Sequence, residues 1–289
     1  MQSLSYEIVD VFTDRPFAGN PLAVVFGAEG LDTAQMQALA DEFHLSETVF
    51  VLPPTAAGAT YRARIFTPEE ELPFAGHPSV GAAVTQMRAG RFAAGQVVQE
   101  CGAGLLPITV YAHGSATLRG GTPTVGPELD PAPLLAAAGL TAADHAGPAP
   151  RLAGCGLEFP HVPVRLEALA RARGDAAAAE AAGVRDVSVF AWDPETATAR
   201  TRVFCPGLGV PEDPATGSAA LGFGVWLVAS GLLPGDRESS YTVRQGVEMG
   251  RPSTLECTVT ASGGAAVAAT VTGSVVPIAR GEIAVPPLG

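Results

Sequence analysis

Positive charge is scarce in this chain of 289 residues. Its 17 basic residues, every one an arginine, stand against 29 acidic ones, for a formal net charge of −12. That balance excludes a basic nucleic-acid-binding surface. An acidic surface keeps a protein soluble and says little else about partners. An anionic ligand would have to be held by local donors against the overall field. Cysteine is sparse as well: Cys101, Cys155, Cys205 and Cys257 show no metal-ligand or redox spacing. The five histidines, His44, His77, His113, His145 and His161, show no metal spacing either. There is no P-loop, no G-x-G-x-x-G after a strand and no G-x-S-x-G elbow. Gly207-Leu208-Gly209 is only a fragment of a glycine fingerprint. Neither a metal nor a cofactor is therefore expected. Long apolar runs are missing too. The most apolar stretch, Ala219 to Ala229, is too short to cross a bilayer. The opening MQSLSYEIVDVF has no basic start followed by a long apolar run. The expectation is a soluble cytoplasmic protein with reduced thiols, with neither membrane nor nucleic acid among its partners. Aromatic residues make up only 6%, which offers no stacking platform for an aromatic ligand.

What the chain does have is core material, 47% apolar residues against 16% charged. Its 34 glycines and 25 prolines are spread along the length, which suits many short strands and turns. Residues 6–12 (YEIVDVF) and 22–26 (LAVVF) read as strands, with Gly19-Asn20-Pro21 supplying turn chemistry between them. Residues 32–43 read as a helix, with Asp32 as N-cap and Met36, Leu39, Ala40 and Phe43 at helical spacing. Strands at 48–52 and 59–66 follow. The same order then returns: a strand at 161–164, a helix over 165–182 weakened by Gly174, and strands at 186–191 and 197–204. A shift of 138 positions lays ATYRARIFTPEEELP (59–73) over ATARTRVFCPGLGVP (197–211) with seven of fifteen residues identical. Chance would give about one or two. The pairs include Arg64/Arg202 and Phe66/Phe204. In this register Glu47 lies over Arg185, and one inserted residue brings Gly76-His77-Pro78-Ser79 over Ala215-Thr216-Gly217-Ser218. Coincidence of two similar hairpins is the alternative, but the matching order of the flanking elements favours duplication.

After each hairpin comes a segment without a polar face, HPSVGAAVTQM (77–87) and TGSAALGFGVWLVAS (216–230). A helix apolar all round belongs inside a core. Ser79 or Ser218 can cap such a helix, and Pro78 suits its first position. The expected architecture is α+β: two pseudo-repeated halves, each a curved, mostly antiparallel sheet or barrel wrapped around a central apolar helix. The halves are 1–122 and 123–289, with the C-terminal strand 274–289 able to complete the first, and with Gly120 to Pro133 as linker. The active site is expected between the halves.

Each buried helix begins at a glycine-bearing turn, PFAGHPS in one half and PEDPATGS in the other. A buried helix start carries unpaired N–H groups and partial positive charge, and something must satisfy them. An ordinary cap by Ser79, Thr216 or Ser218 would do so. So would a substrate carboxylate. Three titratable residues lie nearby. Glu47 sits at the mouth of a strand, His77 in the first turn and Asp213 in the second. Each has a plain alternative: a solvated strand-end carboxylate, a histidine bonded to backbone, a turn-stabilising aspartate. Together they form the set that cofactor-free proton transfer next to an electron-withdrawing group requires.

At these motifs the chain resembles the PhzF-type phenazine biosynthesis isomerase family, which shares the diaminopimelate epimerase-like fold. The matching segments are DVFTDRPFAGNPLAVV (10–25), LSETVFV (45–51), RIFTPEEELPFAGHPSVGAA (64–83), RVFCPGLGVPEDPATGSAALG (202–222) and YTVRQGVEMGRPSTLE (241–256). The resemblance implies a homodimer and a site in which Glu47 is the proton shuttle and His77 and Asp213 complete the polar set. It also implies that Gly76, Ser79, Thr216, Gly217 and Ser218 hold a small anionic carboxylate metabolite, with Gly250-Arg251-Pro252 nearby. The related epimerases use two cysteines, one at each helix start, but here those places hold Ala75 and Pro214. A symmetric two-thiol racemase is thus disfavoured against a one-base isomerase. The alternatives are an epimerase or lyase acting on another small acid, and a catalytically silent small-acid-binding or interaction protein.

Overall fold

The computed structural model describes residues 2–206 and 210–287, so Gly207-Leu208-Gly209 lie outside the described residues. The chain divides into two compact units, Met1–Leu118 with Thr272–Gly289, and Arg119–Val271. The first unit opens with β1 (Ser3–Val11), β2 (Asn20–Phe26), α1 (Thr33–Phe43), β3 (Glu47–Leu52), β4 (Tyr61–Phe66) and β5 (Glu71–Leu72). It continues with α2 (Gly76–Arg88), β6 (Gly95–Cys101), β7 (Gly104–Tyr111) and β8 (Ser115–Arg119). The second contains β9 (Thr124–Glu128), α3 (Pro131–Ala137), β10 (Arg151–Gly154), β11 (Glu158–Pro163), α4 (Leu166–Leu169) and α5 (Ala176–Ala182). Then come β12 (Val187–Asp193), β13 (Thr198–Cys205), β14 (Val210–Asp213), α6 (Gly217–Ala229), β15 (Glu238–Gln245), β16 (Ser253–Ser262) and β17 (Ala265–Ala284). The residues of β17 from Thr272 onward belong to the first unit.

In the first unit β1 lies antiparallel to both β2 and β17, β2 runs parallel to β3, and β3 pairs antiparallel with β4. β4 runs parallel to β6, β6 pairs with β7 and β7 with β8, and β8 pairs with β17. Eight strands thereby close into a ring, which leaves no open edge. The C-terminal strand expected at 274–289 is thus part of a 20-residue strand, Ala265–Ala284, that seals this ring. Inside it lies α2, buried from Gly76 to Gln86. On the outside, α1 is fixed by a reciprocal capping box between Asp32 and Gln35 and packs Met36 and Leu39 against Phe50 and Phe66.

The second unit repeats the order. β10 and β11 form a hairpin, β11 runs parallel to β12, β12 pairs antiparallel with β13, and β13 runs parallel to β15, which pairs with β16. Helix α6 is buried from Gly217 to Val228, with Phe223 and Trp226 packed on Phe190. Two expectations change here. The helix expected over 165–182 is broken in two, because Arg173 and Asp175 give their N–H groups to Ala138 and Ala137 instead of to a continuing helix. Asp175 then caps α5 through the Ala178 amide. The stretch from Gly120 to Pro133, expected as a linker, holds β9, paired with β10, and the start of α3.

The duplication extends to side-chain geometry. Arg64 grips Glu71 with two hydrogen bonds, Nε to Oε1 at 2.7 Å and Nη2 to Oε2 at 2.5 Å, and its guanidinium lies 5.1 Å from the Phe66 ring centre. Arg202 grips Glu212 in the same way at 2.7 and 2.6 Å, 5.0 Å from the Phe204 ring centre. Forked Arg–carboxylate pairs are geometrically specific, so these anchors fix the correspondence. Glu71/Glu212 puts the offset at 141 by the helix starts, where 139 was expected. Gly76 therefore corresponds to Gly217, His77 to Ser218 and Ala75 to Thr216, not to Pro214. Strand pairing corrects the other end. Thr48 opposes Phe66 and Val187 opposes Phe204. The counterpart of Glu47 is consequently Asp186, not Arg185.

Candidate active site

In the first unit the parallel pairing of β2 with β3 and the packing of α2 inside the ring bring Asn20, Glu47 and His77 together. The His77 ring is buried, and its Nε2 lies 3.4 Å from Glu47 Oε2. Its Nδ1 lies 3.2 Å from Asn20 Nδ2. Burial pushes the imidazole pKa down to about 3, only partly opposed by the Pro21 carbonyl. His77 is therefore neutral at physiological pH, and its contact with Glu47 is a polar contact between a carboxylate and a neutral ring. With the Asn20 amide as donor, Nδ1 accepts and the ring proton sits on Nε2, facing the carboxylate.

Neither expected serine cap is made. The N-cap position of α2 is Ala75, with no side-chain cap, and that of α6 is Thr216, again with no side-chain cap hydrogen bond. Pro78 stands third in α2 rather than first. The Ser79 hydroxyl is enclosed, donating to the Ala75 carbonyl at 2.8 Å and accepting from Gln99 Nε2 at 2.8 Å. Its work is to hold the turn at Gly76 in place. Two buried helix starts, at Gly76 and Gly217, are thus left with N–H donors that no side chain caps, which is the polarity an anion requires.

In the second unit Thr216 Oγ1 donates to Asp213 Oδ2 at 2.5 Å. The buried Gln245 binds the same turn at three points. Its Nε2 donates to the Asp213 carbonyl at 2.8 Å and to Thr216 Oγ1 at 3.0 Å, and its Oε1 accepts from the Thr216 amide at 3.2 Å. Gly246 follows with φ +71°, where a Cβ would meet the Arg251 carbonyl at 2.4 Å and the Pro214 carbonyl at 2.7 Å. Only glycine fits both that conformation and that approach. The Gly250-Arg251-Pro252 segment packs, by way of Gly246, against the turn that carries Asp213. Gly217 and Ser218 form the first turn of α6, and Ser218 is buried.

The thiols are elsewhere, at the end of β6 (Cys101), in the turn after β10 (Cys155), at the end of β13 (Cys205) and in β16 (Cys257). Burial raises the pKa of Cys101, lifts Cys155 to about 12 and raises Cys257 strongly. That is the wrong direction for a reactive thiolate. Among the described residues no group of three His, Cys, Asp or Glu side chains could hold a metal ion, and no helix is long and apolar enough to cross a membrane.

A family model described as phenazine biosynthesis-like protein matches residues 9–281. The chain belongs to this family. Relatives of the phenazine biosynthesis-like family match it end to end. An uncharacterized isomerase from Mesorhizobium japonicum is 39% identical over 98% of this chain and 99% of its own length. The trans-2,3-dihydro-3-hydroxyanthranilate isomerase of Pseudomonas aeruginosa is 33% identical over 96% of this chain and 98% of its own. The crystal structure of a phenazine biosynthesis protein of the PhzF family from Bacillus anthracis superposes with a TM-score of 0.87 at 25% identity, covering 98% of this chain and 100% of that one. As a member of this family the chain is an isomerase, and its mixed α+β fold is the family's fold. Two residues that hold the polar groups, Asn20 and Gln245, were not singled out by spacing. Both lie in segments that carried the resemblance, G-N-P and R-Q-G, and Asn20 was otherwise read only as turn chemistry.

Proposed function

We propose that this protein is a cofactor-independent isomerase of a small carboxylate, in which Glu47 moves a proton between two carbons of the substrate. The observation that carries the reading is the pairing of Glu47 with a neutral, buried His77 beside a helix start that no side chain caps. A Glu47 oxygen takes the proton from an activated carbon. The C–H electron pair enters the conjugated system and a double bond shifts, and a proton returns from the same carboxyl to a second carbon. The step is redox-neutral and leaves the enzyme as it began. His77 Nε2, 3.4 Å from Glu47 Oε2, faces the carboxylate and keeps it in register. Peptide N–H groups at Gly76 in the first unit, and at Gly217 with Thr216 and Ser218 beside it in the second, are each suited to an anion such as the substrate carboxylate, because helix polarity favours negative charge there. Asp213 fixes the Thr216 hydroxyl. Ser79 serves by bracing the first helix start. The absence of lysine supports the reading from another side, since no lysine amine exists to form a Schiff base.

The probe is the compound named in the Pseudomonas aeruginosa relative, trans-2,3-dihydro-3-hydroxyanthranilate. In deuterated water the wild-type protein is expected to convert it with solvent deuterium at the new C–H position, followed by NMR. Glu47→Gln should slow conversion by roughly a hundred- to ten-thousandfold, the range of general acid–base catalysis. Conversion at the wild-type rate by that variant would defeat the assignment of Glu47.

A further inference from the structure

We propose that the first unit carries a further anion site, a cavity beside Arg62 that takes a small carboxylate. The cavity measures about 340 Å³ and lies between Arg62 and Arg64 of β4, Glu71 and Pro73 at β5, and Cys101 and Gly102 where β6 turns into β7. Its lining includes none of Asn20, Glu47 and His77. The strand pairing creates it. β6 pairs with Tyr61 and Arg62 and β5 with Ile65 and Phe66, so neither covers β4 at Ala63 and Arg64. The second unit has the same gap, since β15 pairs with β13 as far as Arg200 and β14 pairs with it from Val203. With Arg62 matched to Arg200, the registers match Glu100 to Arg244, Cys101 to Gln245 and Gly102 to Gly246. Packing of the glycines agrees: a Cβ on Gly102 would lie 2.8 Å from Pro73 Cα, and one on Gly246 would lie 3.2 Å from Pro214 Cα.

The second unit fills its gap from within. The Gln245 side chain spans it to the turn from Asp213 to Thr216, and Arg200 Nη2 donates to Glu248 Oε1 at 2.7 Å. Glu248 belongs to the long turn 246–252 between β15 and β16. In the first unit the matching turn is Gly102-Ala103 alone, which brings no acid, and Cys101 is too short to reach as Gln245 does. The Arg62 side chain is left 41% exposed, and among the described residues no acid comes nearer than Glu100, whose Oε1 lies 4.0 Å from its Nε. The acids at the cavity are already engaged. Both Glu71 oxygens accept from the fork of Arg64. Glu100 accepts from the Thr55 hydroxyl, and from the Thr55 and Ala56 amides at 2.6 and 2.9 Å. Arg62 therefore presents the open donors, and a planar fork of N–H groups matches a carboxylate. The occupant is a small acid whose carboxylate does at Arg62 what Glu248 does at Arg200. The volume suits it, at the lower end of the roughly 300–1,000 Å³ of small-molecule sites.

The test uses the full chain, nitrogen-labelled, with butyrate as probe because it reproduces the carboxylate and short stem of a glutamate side chain. Butyrate should shift the Arg62 Nε–H and Gly102 amide signals along a saturable curve with a midpoint of about 10 mM or below. Arg62→Gln should raise that midpoint about tenfold or more, as loss of a forked carboxylate contact requires, with Arg62→Lys between the two. Arg200→Gln should leave the Gly102 curve unchanged, since Arg200 belongs to the filled gap. Glu47→Gln should also bind as wild type does, so the result stands apart from the reading of the proton shuttle. No saturable shift overturns the proposal, as do equal shifts with butyramide or with chloride at the same ionic strength. Undiminished binding by Arg62→Gln overturns it too. An Arg62 signal that moves with protein concentration and not with butyrate would give the cavity to a second copy of the chain, and that also overturns the proposal.

Discussion

Burial and one amide set the state of His77. Its ring is driven to the neutral form, and with the Asn20 amide nitrogen 3.2 Å from Nδ1 the ring proton is expected on Nε2. Exchanging that amide for a carboxylate should reverse the arrangement, since a carboxylate only accepts and would draw the ring proton to Nδ1. Asn20→Asp is therefore expected to raise the His77 pKa, to move its proton from Nε2 to Nδ1 in nitrogen NMR spectra, and to lower kcat by about tenfold to a hundredfold. If the ring proton stays on Nε2 and kcat is unchanged, Asn20 does not set the tautomer. The site was legible in the sequence only where chemistry is carried by rare residue types. Glu47, His77 and Asp213 stand out as titratable groups beside glycine turns. Asn20 and Gln245 do not, because an amide does its work through two correctly placed hydrogen bonds, and placement is a property of the folded chain. Ser79 shows the converse. Its position before an apolar run is what a cap looks like in sequence, yet its hydroxyl turns back to the Ala75 carbonyl.

The two central helices were legible as elements, for a stretch with no polar face has nowhere to go but a core. Their register was not. A 15-residue identity count sees the hairpins but not the longer loop between Phe204 and Glu212, so it slides the second helix start by two residues and hides Asp186 behind Arg185. The helix expected over 165–182 failed for a related reason: tertiary hydrogen bonds to Ala137 and Ala138 outweighed local propensity. With the corrected offset, Gly81 of α2 corresponds to Gly222 of α6, and the two sites differ in what a methyl group would strike. At Gly222 a Cβ would lie 2.4 Å from the Ala153 carbonyl oxygen and 3.0 Å from Gly154 Cα, both backbone. At Gly81 it would meet Leu22 Cδ2 at 2.4 Å and Val11 Cγ2 at 2.9 Å, side-chain ends that can shift. Gly222→Ala is expected to cost about 3 kcal/mol through overpacking. For Gly81→Ala a smaller clash is offset by roughly 1 kcal/mol of helix propensity, leaving a net loss of about 1 kcal/mol or less. Urea unfolding of the pair checks the order, and an equal loss at both sites would contradict it.

For the whole chain the buried titratable groups fix how stability follows pH. His77 and His161 are both held at about 3, and Asp186 at about 6, by desolvation. A histidine with a depressed folded pKa contributes its stability fully above the unfolded value, about 6.5, and loses it as pH falls toward 3, because the unfolded chain binds the proton first. Each such histidine gives a slope of about 1.4 kcal/mol per pH unit across that window. Asp186 acts with the opposite sign. Its raised pKa favours the folded chain below the unfolded value, about 3.9, and that contribution is lost as pH rises through 6. Between pH 6 and 4 the two histidines and the aspartate together leave the slope of about one proton, stability falling as the solution becomes more acid. His161 is the group to remove. It is fully buried on β11 near Phe223, and the reading of the site gives it no part in proton transfer. His161→Leu is expected to flatten the stability curve between pH 6 and 4 by about 1.4 kcal/mol per pH unit, whatever the cost of the substitution at neutral pH. Urea titrations of wild type and variant at half-unit pH steps measure the two slopes. Parallel curves would show that His161 takes up its proton without unfolding the chain, and that the acid sensitivity must come from the other buried groups.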